Sequence, residues 1–196
     1  PTSIACAYDS SAEKVVIAYN GASNYGTAIV GTVSGTSISY GTPVVFEAAV
    51  SSFISATFDS NANKIVIAYR DNGNSYYGTA IVGTVSGTSI SFGSAVVFES
   101  ANTQYTSIAF DSSNNKVVIA YKDNGNSNYG TGIVGTVSGT SISFGTAVVF
   151  ESANTQYTAT TFDTNNNAIS INYQDAGNSD YGTSVVGTVS GTAISF

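Results

Sequence analysis

Val30-Gly31-Thr32-Val33-Ser34-Gly35-Thr36 returns unchanged at Val82 to Thr88, Val134 to Thr140 and Val186 to Thr192, each copy 52 residues after the last. Its neighbours recur with it. A Tyr-Gly pair stands upstream (Tyr25-Gly26, Tyr77-Gly78, Tyr129-Gly130, Tyr181-Gly182) and a Ser-aromatic pair downstream (Ser39-Tyr40, Ser91-Phe92, Ser143-Phe144, Ser195-Phe196). A fixed period of this length marks a tandem-repeat protein, whose core lies between neighbouring repeats. The repeats run over residues 1–50, 51–102, 103–154 and 155–196.

One repeat reads as four strands. In the third, Tyr105 to Phe110 alternates, and Asp111-Ser-Ser-Asn-Asn115 supplies turn chemistry. Lys116 to Lys122 is apolar on both faces, as expected of a strand held between two layers. Asp123 to Asn128 is the longest polar loop. The first repeat has two residues fewer there, between Tyr19 and Tyr25, which marks a surface segment. Tyr129 to Val137 resumes the β pattern, with Gly130, Gly132 and Gly135 allowing a neighbour to come close. Ser138-Gly139-Thr140 turns the chain, Ser141 to Glu151 forms a fourth strand bent at Gly145, and Ser152 to Gln156 leads into the next repeat.

Four antiparallel strands in a unit of this size predict an all-β fold, a β-propeller of four blades, with an open stack of sheets as the alternative. Closure of the four units on themselves is the expectation. The last repeat stops short of the equivalent of Gly145 to Asn154, and Pro1 begins in a strand-like pattern with no signal sequence. An unpaired edge is therefore expected in the last unit, with chain-to-chain pairing near Phe196 and Pro1.

Thr32 to Phe46 resembles the Asp-box, or BNR, repeat of sialidase-like propellers. Ser34, Gly35, Thr36 and the aromatic at Tyr40, Phe92, Phe144 and Phe196 carry the likeness. The Asp of that motif is absent, and Phe or Tyr replaces its Trp. The resemblance implies a propeller blade. It does not bring the family's chemistry, which uses three arginines to hold a carboxylate, because this chain has Arg70 alone.

The composition excludes several functions. A formal charge of −7 with five basic residues leaves a phosphate backbone little to bind, so no nucleic-acid partner is expected. No apolar run is long enough to span a membrane, and no membrane insertion is expected. The absence of histidine removes the base that a serine or cysteine nucleophile needs. The lone Cys6 aligns with Ala56, Ile108 and Thr160 and is expected to be a buried small residue. The acids recur with the repeat: Asp9, Asp59, Asp111 and Asp163 after strand one, Asp71, Asp123 and Asp175 after strand two, Glu47, Glu99 and Glu151 after strand four. Groups shared by every unit serve the unit, whereas an active site needs an asymmetric set, so no catalysis is expected.

The candidate ligand site is the loop after strand two. Tyr25, Tyr77, Tyr129 and Tyr181 stand beside it, Asp71, Asp123 and Asp175 open it, and Asn74, Asn126 and Asn178 lie within it. A flat aromatic face next to amides and carboxylates is a platform for sugar hydroxyls. Repetition would turn weak sites into avidity. The loop oxygens could also hold calcium, although the alternating acids and terminal Glu of a calcium loop are missing; the expectation is no cofactor. These features predict a multivalent, non-catalytic carbohydrate-binding or adhesion module on a cell or particle surface. The alternative is a structural subunit that self-associates through its last unit.

Overall fold

The computed structural model describes residues 2–196; Pro1 lies outside them. The first repeat folds as β1 (Ile4–Asp9), β2 (Lys14–Asn20), β3 (Tyr25–Ser34) and β4 (Ser37–Tyr40). The second holds β5 (Val44–Asp59), β6 (Lys64–Asp71), β7 (Tyr77–Ser86) and β8 (Ser89–Phe92). The third holds β9 (Val96–Asp111), β10 (Lys116–Asp123), β11 (Tyr129–Ser138) and β12 (Ser141–Phe144). The fourth holds β13 (Val148–Asp163), β14 (Ala168–Asp175), β15 (Tyr181–Ser190) and β16 (Ala193–Ser195). The only helical pieces among the described residues are single 3-10 turns at Ala22–Asn24 and Ala176–Asn178.

Turn chemistry sets the hairpins. Asp9, Asp59, Asp111 and Asp163 each accept backbone N–H groups two and three residues ahead, as in Ser113 N and Asn114 N to Asp111 Oδ1 at 2.9 and 3.0 Å. In the repeated Ser-Gly-Thr-Ser turn, Gly35 takes a φ of 59° and Thr36 does not, the pattern of a type II′ hairpin.

The segment expected to be a linker is strand throughout. β5, β9 and β13 run unbroken for 16 residues and change partner midway. In β9, Asn102 still pairs with Tyr77 of the second unit, while Thr103 already pairs with Asp123 of the third. Each long strand thus completes one four-stranded unit and begins the next, and all sixteen strands join in one antiparallel sheet, whose path runs from β1 to β16 with β4, β8 and β12 paired to its side. That path does not close: no strand of the first repeat pairs with one of the fourth among the described residues, contrary to the expected self-closure. The architecture shown is all-β, antiparallel and repeated.

The core lies between the units. Each has a back face toward the unit before it and a front face toward the unit after it. Val16, Ala18, Ala28 and Val30 on the front of the first unit pack against Ile65, Ile67, Tyr69, Ile81 and Ile90 on the back of the second. The same small-against-large pairing repeats at the next two junctions. Strand two of the second and third units is buried on both sides, as its sequence predicts, with Ile65 through Tyr69 and Val117 through Tyr121 fully inaccessible. A clamp recurs at each junction: Tyr69, Tyr121 and Tyr173 donate hydroxyls to Glu47, Glu99 and Glu151 of the preceding unit at 3.0–3.1 Å. The rings of Phe46, Phe98 and Phe150 sit 5.1–5.2 Å from those tyrosines.

The two ends of the stack differ. On the front of the fourth unit, Ser170, Asn172 and Ser184 replace the Val, Ala and Ala or Gly of the other three, and Ser184 Oγ donates to Asn172 Oδ1 at 2.6 Å. A polar outer face is what a terminal repeat needs to meet water. On the back of the first unit the apolar pattern is kept but uncovered. Cys6 lies there and is exposed, which corrects its expected burial: Ala56, Ile108 and Thr160 are half-buried or buried against the unit before them, whereas among the described residues no unit stands before Cys6.

Close packing explains one repeated glycine. A Cβ on Gly130 would clash with the edge of the Phe150 ring and lie 2.7 Å from Thr155 Oγ1, whereas one on Gly182 meets nothing within 4 Å. Gly130→Ala is expected to destabilise the fold by about 1–3 kcal/mol. Gly182→Ala should stay within about 0.5 kcal/mol of the parent. Urea unfolding of the two variants checks this, and equal costs would contradict the packing.

Candidate functional site

The loop after strand two and the start of strand one share an edge of the sheet. Sequence reasoning placed the Asp, Asn and Tyr groups together at this edge, and the structure divides their roles. Asp71, Asp123 and Asp175 are buried, and their Oδ1 atoms accept from Gly73 N and Asn74 N, from Gly125 N and Asn126 N, and from Gly177 N at 2.8–3.1 Å. These carboxylates close the turn from a buried position. Among the described residues no three acidic, cysteine or histidine side chains come together.

Asn74, Asn126 and Asn178 are exposed at the loop tip. The backbone carbonyls of Asn74 and Asn126 accept from Tyr77 N and Tyr129 N at 3.0 Å, which ties the tip to the first residue of strand three. Tyr77 and Tyr129 are half-buried; Tyr25 and Tyr181 are exposed.

The sequence reading missed the strongest feature of this edge. Phe53, Tyr105 and Tyr157 occupy the same position in successive units, at a bulge where strand one gains a residue against strand two. Their φ angles are 50°, 51° and 52°, a left-handed conformation that costs a bulky side chain energy. The bulge carbonyls stay bonded: Thr106 Oγ1 donates to Phe53 O, and Thr158 Oγ1 to Tyr105 O. The rings form a ladder, with centroids 5.1 Å apart from Phe53 to Tyr105 and 4.8 Å from Tyr105 to Tyr157. An aromatic at this position in three of the four repeats, with Ser3 in the first, was the only sequence signal.

Cations and amides flank the ladder. The Arg70 guanidinium lies 4.7 Å from the Phe53 centroid and 5.3 Å from that of Tyr76, joining the ladder to the loop. Arg70 Nε donates to Ser52 Oγ and Asn72 Oδ1 at 3.0 Å. In the next unit Lys122 Nζ stands 5.9 Å from the Tyr105 centroid, and Tyr105 donates its hydroxyl to Gln156 Oε1 at 3.4 Å. Burial lowers the pKa of both cations and raises that of the Tyr105 phenol. The edge therefore presents stacked rings, hydroxyls, amides and two cations, without an opposed pair of free carboxylates.

No protein-family model matches this chain, and no curated protein matches it either. What the fold and the edge define is a class: an all-β tandem-repeat protein with a ring ladder along one side.

Proposed function

We propose that this chain is a non-catalytic, multivalent binding module that takes carbohydrate along the ladder edge. The supporting observation is the Phe53-Tyr105-Tyr157 ladder, three rings held in a strained conformation at equivalent bulges. Backbone strain of this kind concentrates at binding sites. Tyrosine faces stack on the apolar face of a pyranose, and Asn74, Asn126 and the ladder's amides suit its hydroxyls. Equivalent subsites along one edge favour an extended glycan over a monosaccharide, by avidity. Such a module belongs at a cell or particle surface.

The units have the strand content of propeller blades, and we read them as blades, in line with their Asp-box resemblance. The polar front of the fourth unit disfavours its packing on the apolar back of the first. The proposal is accordingly an array rather than a ring closed by these four units alone.

A glycan array screened with the full chain, followed by calorimetric titration of any hit, tests the binding. Tyr105→Ala or Tyr157→Ala should weaken a hit roughly tenfold or more, the size of an interface hot spot. Asp123→Ala should lower stability by about 1–2 kcal/mol and leave the affinity unchanged. An array with no hits, or hits indifferent to both tyrosines, would sink the reading.

One observation favours a second reading. The Tyr181 to Ser184 stretch of β15 pairs with β14 on one side and, among the described residues, with no strand on the other, where the same stretch of β11 pairs with both β10 and β13. A free edge of this kind suits a structural subunit that takes a strand from a neighbour.

A further inference from the structure

The three junctions between units define what the back face of a unit receives. A ring from the unit before (Phe46, Phe98 or Phe150) lies between a strand-two tyrosine and a strand-four aromatic: Tyr69 and Phe92, Tyr121 and Phe144, Tyr173 and Phe196. The glutamate after that ring takes the tyrosine hydroxyl. Small residues, Val, Ala, Ala or Gly, and Val, cover the rest.

The first unit keeps every receiving element, and among the described residues nothing fills them. Ile4 is 65% exposed where its equivalent Ile54 is 6% exposed, and Ile38 is 40% exposed where Ile90 and Ile142 are 3%. Tyr8, Val33 and Tyr40 are exposed on the same face. Between Tyr19 and Tyr40, where the ring sits at the other junctions, there is an apolar hollow of about 240 Å³ walled also by Ile4, Ile17 and Ile29. Tyr19 is the equivalent of Tyr69, Tyr121 and Tyr173, and no glutamate bonds it among the described residues.

We propose that the back face of the first unit is a docking surface for another unit of this repeat kind, one whose front carries the Val-Ala-Ala-Val pattern and a Phe-Glu pair. The Phe fills the hollow between Tyr19 and Tyr40, and the Glu accepts the Tyr19 hydroxyl. The fourth unit of this chain, or of a second copy, does not qualify. Ser170, Asn172 and Ser184 would be buried against isoleucines, where unpaired hydroxyls and amides are disfavoured. The surface is thus directional, and the polar front stops growth at the other end.

The test makes the chain its own partner. A full-length variant carries Ser170→Val, Asn172→Ala and Ser184→Ala, with a second copy of residues 145–151 added after Phe196 to supply the Phe-Glu pair. Its fold is checked by circular dichroism and its mass by light scattering over a concentration series beside the parent chain. The parent should stay at the mass of one chain while the variant rises roughly twofold or more by head-to-tail contact. If the variant instead closes on itself, it keeps that mass and melts at a higher temperature. Ile38→Asp in the variant should abolish either behaviour. If the extended form does not fold, Ser170→Val with Asn172→Ala alone serves, with weaker assembly expected. A folded variant that stays monomeric and melts with the parent overturns the proposal. So does a parent chain that dimerises back to back through Ile38.

Discussion

Above pH 10 the protein is expected to lose stability steeply and to unfold by about pH 12, because the phenols that clamp its junctions ionise far more readily in the unfolded chain. Tyr69 and Tyr121 are fully buried, and burial, reinforced by Glu47 and Glu99 against their hydroxyls, pushes both pKa values far above the ordinary 10.0. Tyr173 is shifted the same way, by burial first and then by Glu151. A raised folded-state pKa gives stability that is complete below the unfolded value and is lost as pH rises beyond it. Each buried phenol removes about 1.4 kcal/mol per pH unit in that window. Two of them over about two pH units remove roughly 5 kcal/mol, comparable to the whole stability of a small domain. Glu47 and Glu99 act in the same direction at low pH. Burial, and then Asp71 and Asp123, raise their pKa above 4.5, so the contribution they make in acid is lost as pH rises through the folded values. A pH series followed by circular dichroism and tyrosinate absorbance checks the expectation. Tyr69→Phe with Tyr121→Phe should be less stable at neutral pH, having lost two hydrogen bonds to glutamate, and should stay folded to higher pH. A parent chain whose 13 tyrosines titrate without cooperative unfolding would refute the clamp.

Most strands were legible because their periodicity survives in the sequence. Lys116 to Tyr121 announces a strand buried on both faces, and the Asp111 turn announces the hairpin before it. Ser152 to Gln156 was not legible as strand. Its small polar residues look like a linker, yet Asn154 still pairs with Tyr129 while Thr155 pairs with Asp175, so the backbone stays bonded as it passes from one unit to the next. The ladder was hidden for a related reason. Alternation assigns Tyr105 a face only if no residue is extra, and the bulge that lifts it depends on the register of β9 against β10. A polar loop suggests exposed carboxylates, whereas Asp123 turns inward to hold Gly125 and Asn126, a direction set by the turn's hydrogen bonds and not by composition. Ser170, Asn172 and Ser184 stood in plain view as departures from the repeat. That they share one face, the outermost, follows only from the stacking order. Burial at Cys6 likewise belongs to the neighbouring unit and not to the residue.

Ile119→Ala is expected to be among the most damaging single truncations, costing about 2–5 kcal/mol, because Ile119 is inaccessible at the middle junction, where it packs with Val66, Ala68, Ala80 and Val82. In a stack where each unit touches only its neighbours, weakening that junction also uncouples the first two units from the last two. Urea unfolding should therefore separate into two steps, or show a reduced slope if the steps overlap. Ile17 is the same residue at the same place in strand two of the first unit, on the back face that no described residue of another unit covers. With little covering surface to lose, Ile17→Ala should cost about 1 kcal/mol or less and leave a single transition. The chain has no tryptophan, so circular dichroism and tyrosine fluorescence are the probes. If Ile17→Ala costs as much as Ile119→Ala, the first back face is covered in solution and the stack is closed or paired there. If Ile119→Ala costs no more than Ile17→Ala, the core does not lie between the units, and the architecture of stacked faces is wrong.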